Sequence, residues 1–205
     1  GGLGFIGSNF ITYVLKNHQK LKIQNLDAYF QGSNIDNVTE IKNDKNYKTI
    51  RGNINNIKLV DKLVSTSDAV INFAAESHVD RSISNPQPFI DSNIYGVYTL
   101  LEAIRKHKKK LIQISTDEVF GSLKSFSATE KYPYNPSSPY AASKAAAENL
   151  ANSYHITYGC DIITTRCTNN YGPRQSPEKL IPKTILLANK DKKIPIYGTG
   201  KNIRD

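Results

Sequence analysis

The chain has 205 residues, 39% hydrophobic and 22% charged, enough to bury a sizeable core as one domain or as one domain and part of a second. No run approaches the roughly 18 apolar residues that span a bilayer, and the opening lacks the basic-then-apolar profile of a secretory leader, so no membrane partner and a cytoplasmic location are expected. The formal charge of +9 comes from dispersed lysines, which argues against a nucleic-acid partner and for a solvated surface that attracts an anionic nucleotide.

Glycine recurs at every third position at the start, Gly1, Gly4 and Gly7, and an apolar, helix-like run follows over Phe5 to Lys16. Without side chains at these positions the backbone can turn tightly, approach a pyrophosphate and let the helix pack on a sheet. The free N–H groups and partial positive charge of the helix start then face the phosphates. Asp27 stands twenty residues beyond Gly7 and follows a strand over Ile23 to Leu26. A carboxylate there accepts hydrogen bonds from an adenosine ribose and repels a 2′-phosphate, which favours NAD over NADP. A strand should precede such a loop, so the first strand of the sheet is expected to be missing from this sequence.

Gln31 to Tyr47 reads as an irregular connection with a short helix, Thr49 to Gly52 as a strand end, and the region near Ile57 to Val64 as a helix. Ala69 to Ala75 is a nearly continuous apolar run of the buried-strand kind. Phe89 to Lys106 has helical spacing, with Ile90, Ile94, Val97, Leu100, Leu101 and Ile104 on one face. Leu111 to Ser115 is a strand that runs into Thr116-Asp117-Glu118. The proline-rich loop Tyr132 to Pro139 precedes an alanine-rich helix from about Tyr140 to Tyr158. Asp161 to Arg166 is a further strand with the polar exit Asn169 to Pro173; Leu180 to Lys190 should be helical and Ile194 to Tyr197 extended. This alternation predicts an α/β protein, a Rossmann-type doubly wound parallel sheet with helices on both faces. Cys160 and Cys167 show neither CxxC spacing nor a flanking histidine, so free thiols and no metal site are expected.

Ligands of open α/β sheets sit beyond the carboxyl ends of the strands, which makes the polar residues after Leu111 to Ser115 suspects. Tyr140 and Lys144 are four apart on one helix and share a face; a cation beside a phenol lowers its pKa and suits it as base for an alcohol being oxidised. Asp117 and Glu118 are adjacent carboxyls, of which one can be held protonated as an acid while the other stays ionised as a base. An isolated acidic pair also fits a solvated turn or a helix start. His18, His78, His107 and His155 form no cluster, and His78 is expected to serve local hydrogen bonding.

Taken together, Gly1 to Asn9, Asn72 to Ser82, Ser115 to Gly121, Ser138 to Lys144, Asn169 to Pro173, Pro177 to Pro182 and Ile196 to Asp205 resemble the dTDP-glucose 4,6-dehydratases. These are extended members of the short-chain dehydrogenase/reductase superfamily, within the NAD-dependent epimerase/dehydratases, and the resemblance runs from the first residue to the last. It implies a lyase in which Tyr140 takes the C4 hydroxyl proton of dTDP-glucose as hydride passes to NAD, with Thr116 bonded to that hydroxyl. Glu118 then removes the C5 proton, Asp117 protonates the departing C6 hydroxyl, and hydride returns to C6 to leave a 4-keto-6-deoxy sugar nucleotide. It further implies cofactor contacts by Phe5, Ile6, Asp27, Ile54, Ala74, Ala75, Ser92, Lys144 and Asn170, and substrate contacts by Ser77, Asn169, Lys179, Leu180, Tyr197 and Arg204. Asn53 stands where the family usually has an aspartate near the adenine. By the same resemblance, residues 1–175 are the NAD-binding domain, residues 176–205 begin a truncated substrate-binding region, the chain is a fragment, and the protein is a homodimer through Phe89 to Lys106 and Tyr140 to Tyr158. The competing readings are another NAD-dependent sugar-nucleotide epimerase or decarboxylase, for which Asp117 beside Glu118 has no joint use, and a non-catalytic NAD-binding fragment.

Overall fold

The computed structural model describes residues 1–123, 127–196 and 198–201; Tyr197 and Arg204, both expected in the substrate site, lie outside the described residues. Helix α1 (Phe5–Asn17) begins directly on the glycine loop, with Gly4 in extended conformation and no side-chain cap. Strand β1 (Ile23–Asp27) pairs in parallel with β2 (Tyr47–Arg51), Leu26 opposite Ile50. The connection between them holds a single 3-10 turn, Ile35–Val38, started by the Asn34 side chain accepting from the Asp36 N–H at 2.9 Å. Helix α2 (Ile57–Ser65) is capped by Asn56, which accepts from the Leu59 N–H. A second parallel ladder follows in the order β3 (Ala69–Asn72), β4 (Lys110–Thr116), β5 (Ile162–Cys167).

The sheet is therefore in two pieces. Among the described residues no strand joins β1 to β3, and the break falls where the strand leading into a glycine loop stands in a doubly wound sheet. Successive strand side chains face opposite ways: Ile23 packs into a cluster with Leu3, Ile11, Leu15 and Tyr47, whereas Leu26 packs against a larger core of Val60, Val64, Leu100, Leu101, Ile104, Leu111 and Ala147. Helix α1 thus covers one face, and α2, α5 (Gly96–His107) and α6 (Pro139–Tyr158) cover the other. Helix α6 starts with Pro139 just inside and Ser138 accepting from the Ala141 N–H, and ends on Gly159 in the left-handed region, the asymmetry expected of a well-delimited helix.

Three expectations need correction. The helix expected from Phe89 to Lys106 is regular only in its second half. A single turn, α4 (Gln87–Phe89), leads into a wide π-type stretch over Ile90–Tyr95, and only then does α5 begin. The cause is Asn93, which is 1% exposed and turned inward to bond the backbone at Glu76. Strand β3 stops at Asn72 rather than Ala75 because the Asn72 side chain accepts from the Ala74 N–H and bends the chain. Residues 194–196 are exposed and belong to no strand or helix among the described residues. Two helices complete the chain: α3 (Val79–Ser84), which periodicity missed because it is under two turns long, and α7 (Leu180–Ala188), none of whose residues is buried. No helix among the described residues is long and apolar enough to cross a membrane.

Candidate active site

The carboxyl ends of β1, β3, β4 and β5 open into one cleft of about 1490 Å³ that continues into the break between the two ladders. Its nucleotide half is built on the glycine loop. A Cβ on Gly1 would lie 2.4 Å from the Ala74 nitrogen and one on Gly7 2.7 Å from the Gly1 carbonyl, so loop, helix and strand exit meet at hydrogen-only distance. A Cβ on Gly4 would meet nothing nearer than 3.5 Å. The middle glycine leaves room for a ligand, and above it stands the uncapped start of α1, where an anion is stabilised. Phe5 and Ile6 form the first turn and line the cleft, as do Asn53, Ile54, Ala74, Ala75, Ser92 and Asn170.

Asp27 is 3% exposed and faces the cleft. Burial pushes its carboxyl up, and its hydrogen-bond donors pull it back down. The donors are the N–H groups of Leu3 and Tyr29, both at 2.9 Å, and the Ser33 hydroxyl at 2.7 Å. The acid expected to receive a ribose is thus also the clamp that fastens the glycine loop to β1, a role not visible in its spacing.

The reaction half lies where β4 ends. Thr116, 8% exposed, donates its hydroxyl to Asp117 Oδ1 at 3.1 Å and accepts from the Glu118 N–H at 3.3 Å. Its side chain also stands near enough to the Tyr140 phenol to bear on its titration, as do the charges of Glu118 and Asp117. Thr116, Asp117, Glu118, Tyr140 and Lys144 therefore sit together on one wall of the cleft. The expected lowering of the phenol pKa by the lysine is not what the geometry gives. Burial, then the charge of Glu118, push Tyr140 up, with the Thr116 bond opposing. Lys144, 5% exposed, instead donates to the Ile114 carbonyl of β4 at 2.6 Å, and burial pulls its ammonium down to about 8 against the opposing pull of Glu148.

Of the expected substrate residues, Ser77, Asn169 and Lys179 line the cleft; Leu180, 67% exposed, does not. Several residues that hold the site together carried no readable motif. Asn93 accepts from the Glu76 N–H and donates to the Glu76 carbonyl and to Ser143 Oγ, all at 2.9 Å, and Ser143 in turn donates to the Tyr140 carbonyl at 2.7 Å. Glu76, its carboxyl raised by burial against the pull of Arg81, opens the segment that carries Ser77. His78 and Arg81 reach Glu178 at 3.6 and 3.4 Å, linking α3 to the residue before Lys179. Arg174 donates to Asn9 at 3.0 Å and to Glu40 at 2.8 Å, joining the exit of β5 to α1. Only an inward-facing polar residue within an apolar helix, as at Asn93, could have signalled any of these.

Known proteins share this fold and site. The family described as GDP-mannose 4,6 dehydratase matches residues 1–205. Over its whole length the chain is 44% identical to the low-salt glycan biosynthesis protein Agl12 of Haloferax volcanii and 43% identical to a dTDP-glucose 4,6-dehydratase of Actinoplanes sp., covering 66% of each. All of it also matches 64% of a crystal structure of dTDP-glucose 4,6-dehydratase from Bacillus anthracis in complex with NAD, at 45% identity and a TM-score of 0.93. The chain spans just under two thirds of the length of the curated relatives it matches.

Proposed function

The chain belongs to the GDP-mannose 4,6 dehydratase family, and from that premise we propose that the protein is an NAD-dependent lyase that converts dTDP-glucose to dTDP-4-keto-6-deoxyglucose. The observation that carries the reading is the convergence at the end of β4. The Tyr140 phenol shares one cleft with Thr116 and with two consecutive acids, Asp117 and Glu118, whose charges reach it. Oxidation at C4 alone, as in an epimerase, needs the phenol but no such pair.

The glycine cradle, the uncapped start of α1 and the buried Asp27 fit a dinucleotide. Gly1, Gly4 and Gly7 would admit the pyrophosphate, with Phe5 and Ile6 beside it and Asp27 at the adenosine ribose. Asn53 and Ile54 would stand at the adenine, and Ala74, Ala75, Ser92, Lys144 and Asn170 would contact the rest. Bound NAD supplies a hydride acceptor at C4 of the sugar and, later in the turnover, a hydride donor at C6. Tyr140 takes the C4 hydroxyl proton as its phenolate, a form that burial and the charge of Glu118 make strongly basic but scarce. Thr116 holds the same hydroxyl. The resulting C4 ketone acidifies the C5 proton, which Glu118 accepts, while Asp117 donates a proton to the departing C6 hydroxyl. Ser77, Asn169, Lys179, Tyr197 and Arg204 would hold the sugar nucleotide, lysine and arginine suiting its diphosphate; Leu180 stands outside the cleft and is not among them.

The reading extends to organisation. We divide the chain into a nucleotide-binding part, residues 1–175, and the start of a substrate-binding part, residues 176–205; no described residue from Ser176 onward is buried. A homodimer through α5 and α6 accounts for Tyr95, Tyr98 and Tyr158, 41–53% exposed beside those helices, and a cytoplasmic location agrees with two free thiols at Cys160 and Cys167. The test uses the full-length protein with NAD and dTDP-glucose, reading the 4-keto product by its chromophore in base. Product should form with wild type. Glu118→Gln should stop water loss while NADH appears transiently, and Tyr140→Phe should abolish that NADH. NAD binding without any product from wild type would instead support a binding module.

A further inference from the structure

We propose that Arg166, with Glu148 and Tyr134, is a positioning device that sets the spacing between the acid pair Asp117–Glu118 and the pair Tyr140–Lys144. The inference deepens the function proposed above and rests on it. Glu148 follows Lys144 by four residues and Tyr140 by eight, so all three lie along one face of α6. Its side chain is 2% exposed. Arg166, on β5, grips it in a fork: Nε donates to Oε2 at 2.9 Å and to Oε1 at 3.2 Å, and a terminal nitrogen donates to Oε2 at 2.6 Å. Tyr134 completes the cluster, donating to Glu148 at 2.7 Å and accepting from Arg166 at 2.9 Å.

The same guanidinium reaches the acid pair from behind. It stacks over the Phe120 ring at 5.1 Å and the Tyr134 ring at 5.5 Å, and Phe120 closes the 3-10 turn Asp117–Phe120 that carries both acids. That turn is further pinned by the Asn135 N–H donating to the Val119 carbonyl at 2.9 Å. A Cβ on Gly121 would lie 2.2 Å from the Asn135 carbonyl. In the ladder Arg166 stands opposite Ser115, one residue before Thr116. One planar cation thus touches the helix that bears the phenol and the lysine, the turn that bears the acids, and the loop that covers both. A lysine cannot reproduce this, because only the guanidinium offers a rigid fork together with a stacking face.

The energetics favour geometry over stability as its purpose. A buried ion pair gains little net stability over apolar residues of the same volume, while losing one partner leaves an uncompensated charge. A displacement of about 1 Å between reacting groups, by contrast, costs on the order of 100-fold in rate. Proton removal at C5 and protonation at C6 must be aligned with a sugar already held at C4, so that spacing is the quantity the cluster controls.

The experiment compares full-length wild type with three variants: Tyr134→Phe, Arg166→Lys, and the paired Glu148→Leu/Arg166→Met, which removes both charges together so that the core stays closed. Thermal midpoint, NAD affinity by titration, kcat and KM for dTDP-glucose, and the fraction of cofactor standing as NADH during turnover are read for each. In the paired variant and in Arg166→Lys we expect NAD affinity and KM within about three-fold of wild type, kcat lower by about ten-fold or more, and a raised NADH fraction, because water loss lags C4 oxidation. Tyr134→Phe should show the same pattern more weakly. A folded paired variant with unchanged kcat, or a loss of kcat at constant NADH fraction that tracks loss of NAD affinity or of folded protein, overturns the proposal. Wild type that leaves dTDP-glucose untouched refutes the functional reading and this inference with it, whereas active wild type matched by all three variants refutes the inference alone.

Discussion

Replacing Lys144 by methionine exposes how the buried ammonium is tolerated. The side chain is 5% exposed, and burial, only partly opposed by Glu148, brings its pKa from 10.5 to about 8. At about 1.4 kcal/mol per unit, keeping the proton in the folded state at pH 7 costs about 3 kcal/mol relative to the unfolded chain. Below pH 8 the lysine is protonated in both states and the cost is constant. Between pH 8 and 10.5 the folded lysine has released its proton while the unfolded one still holds it, so stability rises with pH over that window. Wild type should therefore gain about 2–3 kcal/mol on Lys144→Met between pH 7 and pH 10, since methionine fills a similar volume and does not titrate. Equilibrium urea unfolding of the two full-length proteins at both pH values measures this, and the subtraction cancels titrating groups remote from Lys144. A stability difference that stays flat with pH, or one that moves in favour of methionine, would refute the burial argument.

The two inner glycines should separate folding from binding. Gly7→Ala places a Cβ 2.7 Å from the Gly1 carbonyl and 2.8 Å from Gly2 Cα, rigid backbone that cannot yield, so both the thermal midpoint and NAD affinity should fall, with about 1–3 kcal/mol lost from the fold. Gly4→Ala, with nothing nearer than 3.5 Å, should leave the midpoint within about 0.5 kcal/mol of wild type yet weaken NAD binding, read by titration, because the methyl occupies the open side of the cradle. Asn93→Ala removes the three hydrogen bonds of a buried side chain and strands both backbone groups of Glu76; a loss of about 2–3 kcal/mol in urea unfolding is expected, with KM for the sugar nucleotide raised because Ser77 loses its support. Ser33→Ala deletes one of the three donors to the Asp27 carboxylate and should raise its NMR-measured pKa without unfolding the chain, since the Leu3 and Tyr29 N–H bonds remain.

Where a function requires a residue type at a fixed chain spacing, the residue was legible. The glycine triplet with Asp27, the Tyr140/Lys144 step on one helix and the adjacent acids after an apolar strand are local patterns, and the structure brings all of them to one cleft. The strands and most helix boundaries were legible for the same reason, as hydrophobic period and caps are properties of neighbouring residues. The largest exception follows from contacts distant in sequence, whereas the early end of β3 comes from the local Asn72 bond to the Ala74 N–H. The widened turn at Ile90–Tyr95 exists because Asn93 bonds Glu76, seventeen residues back, and Ser143, fifty residues on, and no periodicity in the helix itself encodes that.

The chain's own order of residues determined that this is a parallel α/β protein with a phosphate-approaching loop, a phenol–amine pair on one helix and two acids at a strand end, because each of these is a short-range pattern. Tertiary structure alone decided that Lys144 turns to the Ile114 carbonyl instead of lowering the phenol's pKa, that Asp27 clamps the loop it was expected only to serve, and that Arg166 spans helix, strand and turn. Those outcomes depend on desolvation and on partners between 18 and 46 residues away along the chain, quantities that come into being only when the chain has closed on itself.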